Sequence, residues 1–216
     1  MCGRYSNHVK AMLDWSALLG DWPEAIRASN NIAPGQFIAA FSSDGGAAMR
    51  WGLIPSWSNE VSGKYSTFNA RIETVGDKST FRHAWTHSQR CLIPALGYYE
   101  WRSESNGKQP YFIRSPGNPL FFAGVFEPPR GDLIPGSCTI LTRAARPDLA
   151  SLHSRMPVML SLDNSQQWFE SNPEAAMELV RDEPGPSLEF HPVSKKVNNA
   201  RNEADDLIES IDLSAS

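Results

Sequence analysis

The sequence predicts an α+β fold, a single strand-rich domain over residues 1–216 with its core at about 2–194 and a C-terminal helix or tail at about 195–216. Three observations predict it. Short runs rich in β-branched and aromatic residues recur between Gly, Pro and Asn clusters, which is the pattern of strands and turns. Segments with helical spacing are few and brief. No repeat, low-complexity stretch or linker divides the chain, and 216 residues suffice to bury a sizeable core.

The elements follow in order. "VKAMLDWSALLG" places Val9, Met12, Leu13 and Leu19 near helical spacing behind Ser6 and Asn7, and stops at Gly20. "NIAPGQFIAAF" reads as a turn and a strand, and "SSDGG" turns the chain into "AAMRWGLIP". "SWSNEVSGKYSTFNARIET" is small and polar, a long surface loop that ends in an extended piece. "KSTFRHAWTHS" carries Phe81, Ala84 and Trp85 at helical offsets, with Ser79 or Thr80 as the cap. "RCLIPALGYYEWR" and "QPYFIRS" flank "SESNGK", whose Asn106-Gly107 pair suits a tight hairpin. "NPLFFAGVFEPP" and "SCTILTRAA" are strands. "DNSQQWFESNPEAAMELVRDE" predicts two helices broken at Pro173, capped by Asp163 and Asn172. "LEFHPVS" is a last strand, and "NNARNEADDLIESI" is a weak helix or a tail.

Bulk composition narrows the function. Hydrophobic residues at 41% and charged residues at 20% fit a soluble globular domain, and no apolar run approaches the ~20 residues of a membrane helix. The N-terminus lacks a basic-then-apolar signal, so the expected location is the cytoplasm where the chain is made. Three cysteines (Cys2, Cys91, Cys138) are an odd number without metal-ligand spacing, which fits a reducing compartment. The five histidines are scattered, and neither a phosphate loop nor a dinucleotide glycine pattern occurs, so no metal or other cofactor is expected. A net charge of −4 argues against coating nucleic acid by bulk charge. It leaves room for a local cationic face built from Arg4, Arg71, Arg82, Arg90 and Arg155.

Several residues are out of keeping with a purely structural role. Cys2 directly follows Met1; once that methionine is trimmed, the chain starts with an α-amine and a thiol on adjacent carbons, a 1,2-aminothiol. The same residue also reads as a small apolar side chain opening an edge strand. "GYYEW" sets Glu100 among large aromatics, where a carboxylate must find a partner or have its pKa raised; a strand-edge carboxylate facing water is the alternative. "SLHSRMPVML" puts His153 and Arg155 at the mouth of a strand, where a histidine serves as acid, base or hydrogen-bonding plug. In "FNARIET", Asn69 and Arg71 fall on one side of extended backbone. Trp51 reads as packing, whereas Trp57 and Phe68 lie around the loop that carries Asn69 and Arg71 and are candidates to stack on bases.

Taken together, "MCGRY", "NIAPG", "WGLIPSW", "FNARIET", "TFR", "RCLIPALGYYEW", "LHSRMPVML" and "HPVS" resemble the SOS-response-associated peptidase family, in order from Cys2 to about Ser194. The resemblance implies antiparallel sheets forming an open barrel-like core with flanking short helices, a monomer without cofactor or membrane partner, and nucleoid association in a bacterium. It implies a sensor of abasic sites in single-stranded DNA, in which Cys2, freed of Met1 autocatalytically or by an aminopeptidase, traps the ring-opened sugar as a thiazolidine. Carried over by motif, Cys2 is the nucleophile, Asn69 a positioner, and Glu100 and His153 are acid/base residues. Arg4, Arg71 and Arg155 hold phosphates, with Pro34, Trp57 and Arg82 as further DNA contacts. Slow strand cleavage and crosslink reversal are expected side paths. Two other classes stay open: a cysteine peptidase acting by acyl transfer, and a non-catalytic reader of single-stranded DNA.

Overall fold

A computed structural model describes residues 2–7, 19–61, 66–105, 107–117, 119–161 and 163–215. The helix expected over 9–20 falls mainly on residues outside this set, as does Asn106 of the hairpin turn. The described strands are β1 (Tyr5–Asn7), β2 (Ser29–Ile32), β3 (Phe37–Ser42), β4 (Gly45–Trp51), β5 (Asn69–Arg71), β6 (Arg90–Ala95), β7 (Gly97–Glu104), β8 (Gly107–Arg114), β9 (Leu120–Glu127), β10 (Ser137–Ala144), β11 (Arg155–Pro157) and β12 (Glu189–Pro192). The helices are α1 (Ser79–Thr86), α2 (Ser165–Glu170) and α3 (Pro173–Asp182). No described helix is long and apolar enough to cross a membrane.

The strands form two sheets. One is antiparallel, five strands in the order β12-β8-β7-β1-β2; the other has seven, and its pairings run β10-β4-β3-β6-β9 and back to β10, closing a ring. β10 is the hub because it changes neighbours halfway along. Ser137 and Cys138 lie parallel to β4, Ile140–Thr142 lie parallel to β5, and Thr142–Ala144 pair with β11. This sheet is therefore mixed rather than purely antiparallel.

Alternation along each strand sends side chains to two faces. Ile38 and Ala40 of β3 join Trp51, Ile93, Ile140 and Phe122 in a cluster against Tyr5, Tyr98 and Ile113 of the other sheet. Ala39 and Phe41 join Leu92, Val125 and Leu141 under Phe81, Trp85, Trp168 and Leu179 of the helices. A third cluster, Tyr99 and Phe112 with Val193, Val197 and Leu207, seals the outer face of the five-stranded sheet.

Four sequence expectations need correction. "RCLIPALGYYEWR" is two strands, because the chain leaves one sheet at Ala95 and enters the other at Gly97. A Cβ on Gly97 would meet Ile113 O and Phe112 Cζ, each at 2.5 Å, so only glycine fits that crossing. Neither Ser79 nor Thr80 caps α1: Phe81 N and Arg82 N already reach Lys78 O, so Lys78 is the N-cap and those two residues are inside the helix. Asn164, not Asp163, occupies the N-cap of α2, without a side-chain cap bond. Residues 195–215 form neither a long helix nor a free tail; they make short 3₁₀ turns at Lys195–Asn198, Asp205–Ile208 and Leu213–Ala215. The remaining cap is as expected, with Asn172 Oδ1 accepting from Ala175 N at 2.9 Å and Pro173 opening α3.

Candidate active site around Cys2

β1 is short, and its position decides where Cys2 goes. Tyr5 pairs with Tyr98 and Ser6 with Gly97, and Tyr99 N donates to Arg4 O at 2.9 Å. The chain thus runs antiparallel to β7 and carries Cys2 toward Glu100. Tyr98 and Glu100 share a face of β7 by alternation, and Tyr98 lies in the cluster that contains Cys2. Glu100 is 4% exposed, so it is the buried carboxylate and not the water-facing one.

Cys2 is fully buried in the chain that still carries Met1. Burial, with the Glu100 carboxylate as the next largest influence, pushes its thiol far above the ordinary range. Burial likewise raises the Tyr98 hydroxyl, with Cys2 and Glu100 adding to the effect. The first residue of β5 reaches in from the other sheet: Asn69 Nδ2 donates to Cys2 O at 2.6 Å. Asn69 Oδ1 is buried and has no hydrogen-bond partner among the described residues.

His153 precedes β11 in the loop that follows β10. Its Nδ1 accepts from Arg155 N at 2.9 Å, which leaves the proton of a neutral ring on Nε2, so the imidazole offers a donor. Glu100 and His153 line one pocket of about 490 Å³, together with Trp101, Lys108 and Asn198.

The predicted arginines separate into two groups. Arg71 and Arg82 are exposed. Arg4 and Arg155 are half-buried and already engaged by other groups of the protein. Arg4 Nη1 donates to Asn31 Oδ1 at 2.6 Å and to Val197 O at 2.7 Å, while Asn31 Nδ2 donates to Asn199 O and Asn202 O. Arg155 grips Glu73 through two bonds of 2.7 and 2.8 Å and reaches Thr142 O at 2.6 Å; that ion pair holds the Glu73 carboxyl below its usual range. Arg90 cannot contribute to a cationic face. It is 2% exposed, its guanidinium lies 4.9 Å from the Trp85 ring and 5.3 Å from the Trp168 ring, and burial lowers its pKa to about 10. Pro34 is exposed, and Trp57 is 60% exposed. The Trp57 loop is held from behind by Arg130, whose Nη2 donates to Pro55 O and Ser58 O, and Trp57 Nε1 donates to Ser79 O at 3.3 Å. Trp51 is packing, as expected: it is fully buried and donates to Phe68 O.

Sequence reasoning missed Asn31, Trp101, Lys108, Arg130 and Asn198. Trp101 directly follows Glu100 in "GYYEW", but the other four acquire their places from long-range contacts that leave no local signal. We expect Asn31→Ala to loosen the segment at 199–202, because the carbonyls of Asn199 and Asn202 lose the amide that donates to them while the Arg4 bond to Val197 O stays. Hydrogen exchange in that segment would then rise, and thermal stability would fall by about 1–3 kcal/mol, the cost of leaving hydrogen-bonding groups without their partners. Unchanged exchange there would show that other contacts hold the segment.

Two packed sheets thus bury a thiol at the second residue beside the Glu100 carboxylate, and that carboxylate and the His153 imidazole line one pocket. The chain belongs to the SOS response associated peptidase (SRAP) family, whose model matches residues 1–200. Among its relatives, "Abasic site processing protein YoqW" of Bacillus subtilis is 33% identical over 97% of this chain and 100% of its own length. "Abasic site processing protein YedK" of Escherichia coli is 33% identical over 98% and 100%. "Abasic site processing protein HMCES" of Gallus gallus is 35% identical over 76% of this chain but only 57% of its own length. A crystal structure of a Bordetella bronchiseptica protein superposes with a TM-score of 0.79 at 26% identity, covering 89% of this chain and all of that one.

Proposed function

We propose that this protein senses abasic sites in single-stranded DNA and shields them by forming a covalent thiazolidine through Cys2 after Met1 has been removed. The observation that carries the reading is the Asn69 bond to Cys2 O, which fixes the backbone of the second residue beside Glu100. The names of the relatives, as abasic site processing proteins, support the substrate class.

The chemistry follows from the groups present. An abasic deoxyribose rests mostly as a closed hemiacetal. Glu100 transfers the proton that opens it to the C1′ aldehyde. The freed Cys2 amine adds to that aldehyde, and one water leaves to give an imine; His153, with its proton on Nε2, supplies the donor for the departing hydroxyl. The Cys2 sulfur then bonds to the imine carbon and its proton goes to nitrogen, closing a five-membered ring. Amine and thiol at ordinary pKa values of about 7.7–8.0 and 8.5 give a usable neutral fraction once exposed. Ring closure is intramolecular, in the class that reaches effective molarities of about 10⁵ M or more. Asn69 holds the nucleophile in register throughout. If the imine instead loses a β-proton, the strand breaks, which gives a slow lyase path; for reversal, sulfur leaves the ring carbon and takes up a proton to regenerate the imine, and one water hydrolyses that imine to the aldehyde and the free amine.

Exposed Arg71 and Arg82 carry phosphate contacts, Trp57 and Pro34 offer surfaces for bases, and Arg4 uses only Nη1 in its hydrogen bonds among the described residues. Arg155 contributes only by releasing Glu73. Arg71→Ala and Arg82→Ala should each reduce the magnitude of the salt slope of single-strand binding by roughly 0.7, the value for one phosphate no longer neutralised. Arg155→Ala should instead leave the slope alone and lower stability. A changed slope for Arg155→Ala with none for Arg71→Ala would reverse this assignment.

Incubation with single-stranded DNA bearing one abasic site tests the function. The expected product is a denaturation-resistant adduct that a Cys2 variant cannot form. A peptidase would give no such adduct, and a simple reader would bind as well without its thiol.

A further inference from the structure

We propose that His83 and His87 form a binding site for a divalent transition ion of the Zn²⁺ and Ni²⁺ kind, held through both Nε2 atoms and oriented by Glu127. The five histidines look scattered in the sequence, but these two stand one turn apart on a helix, His83 in the last turn of α1 and His87 as its C-cap. A spacing of four residues brings side chains together on one helix face. The site lies apart from Cys2. Phe81, Ala84 and Trp85 pack α1 on the helix-covered face of the seven-stranded sheet, whereas Cys2 belongs to the cluster on the other face.

Each ring commits its Nδ1 to an acceptor. His83 Nδ1 lies 3.0 Å from Oε1 of Glu127, a carboxylate that is 2% exposed, and His87 Nδ1 lies 2.9 Å from His83 O. The proton of each neutral ring is therefore on Nδ1, and each Nε2 carries a lone pair. No hydrogen bond among the described residues uses either Nε2. A ring N–H given to a carboxylate or a backbone carbonyl, with the second nitrogen left bare, is the arrangement of metal-ligating histidines, and the carboxylate raises the basicity of the ring it holds.

The backbone under the pair is fixed. Ser88, at φ 53°, closes the helix: its N donates to Trp85 O at 3.2 Å and Gln89 N donates to Ala84 O at 3.0 Å, which keeps His87 one turn beyond His83. The rings stack with centroids 4.1 Å apart and planes 27° from parallel, which sets the two lone pairs side by side. Converging them on one ion, at about 2.0–2.1 Å from each nitrogen, takes a turn of one ring. Exposed His87 makes that turn while Glu127 holds His83. Imidazole suits Zn²⁺, Ni²⁺ and Cu²⁺, whereas Mg²⁺ and Ca²⁺ seek oxygen. No third protein ligand joins the pair among the described residues, so water completes the coordination.

Zinc chloride titrated into the untagged full chain tests the site, with calorimetry reporting affinity and NMR following the histidine ring protons. The parent is compared with Cys2→Ala, His87→Ala and Glu127→Gln; Cys2→Ala separates this site from zinc held by the near-terminal thiol. Ring signals of His83 and His87 should shift in the parent and in Cys2→Ala alike, and magnesium chloride should move neither. Glu127→Gln should weaken binding at these rings by about 10- to 100-fold, the usual cost of altering an outer-shell partner. His87→Ala changes an exposed position and leaves the bond between His83 and Glu127 intact, so it should lose the site with little change in melting temperature. Zinc affinity preserved in His87→Ala or in Glu127→Gln, ring signals that stay in place while zinc binds, or shifts that vanish in Cys2→Ala would overturn the site. A parent chain that takes up no zinc would overturn it as well.

Discussion

Cys2→Ala is expected to abolish the denaturation-resistant adduct completely while single-strand affinity stays within a few-fold of the parent. Alanine keeps the freed α-amine, so an imine still forms, but no sulfur is present to close the ring and the imine hydrolyses. Cys2→Ser should behave almost the same way, since its hydroxyl is the poorer ring-forming nucleophile. Borohydride separates the two steps, because it reduces an imine to a permanent amine link. It should trap DNA on both variants. Trapping on the parent with none on either variant would mean that the amine is not the first nucleophile. The same reasoning applies to Met1. The thiol is buried and its pKa displaced upward with Met1 attached, and the α-nitrogen of Cys2 is then a peptide nitrogen, so a form blocked against methionine removal should be inert.

Glu100→Gln carries the second large effect. Glutamine keeps the shape of this 4%-exposed side chain but has no transferable proton. Formation of the adduct should slow by about 10² to 10⁴, the usual contribution of a positioned general acid–base group. Because the reverse reaction passes through the same transition states, release should slow as well. A carboxylate with a purely structural role would change the melting temperature and leave both rates intact in the folded fraction. Unaltered formation and release would therefore remove Glu100 from the chemistry and leave the proton transfers to His153.

Much of the strand content is legible in the sequence because alternation and turn residues are local signals; "SCTILTRAA" and "NPLFFAGVFEPP" read directly as β10 and β9. The passage of "RCLIPALGYYEWR" from one sheet to the other is not, since a continuous apolar run carries no record of which sheet each half joins. Gly97 is the one local sign, and its meaning lies in Ile113 and Phe112 on β8. In the site, Cys2 stands out by position and Glu100 by its aromatic neighbours, both properties of the immediate sequence. Arg4 cannot be read that way. Its partners Asn31 and Val197 are 27 and 193 residues away, so a side chain that looks free to meet phosphate is largely occupied. Arg90 teaches the same lesson, because its burial depends on Trp168 arriving from a distant helix.

The central claim is that a 1,2-aminothiol at Cys2 captures the abasic sugar, and intact-mass analysis of the purified adduct tests it most directly. The account predicts a mass equal to the protein without Met1 plus the DNA strand less one water. It predicts fragmentation that places the link on Cys2 and a link unaffected by borohydride. A stable adduct that retains Met1, maps to another residue, or persists only after reduction would contradict it.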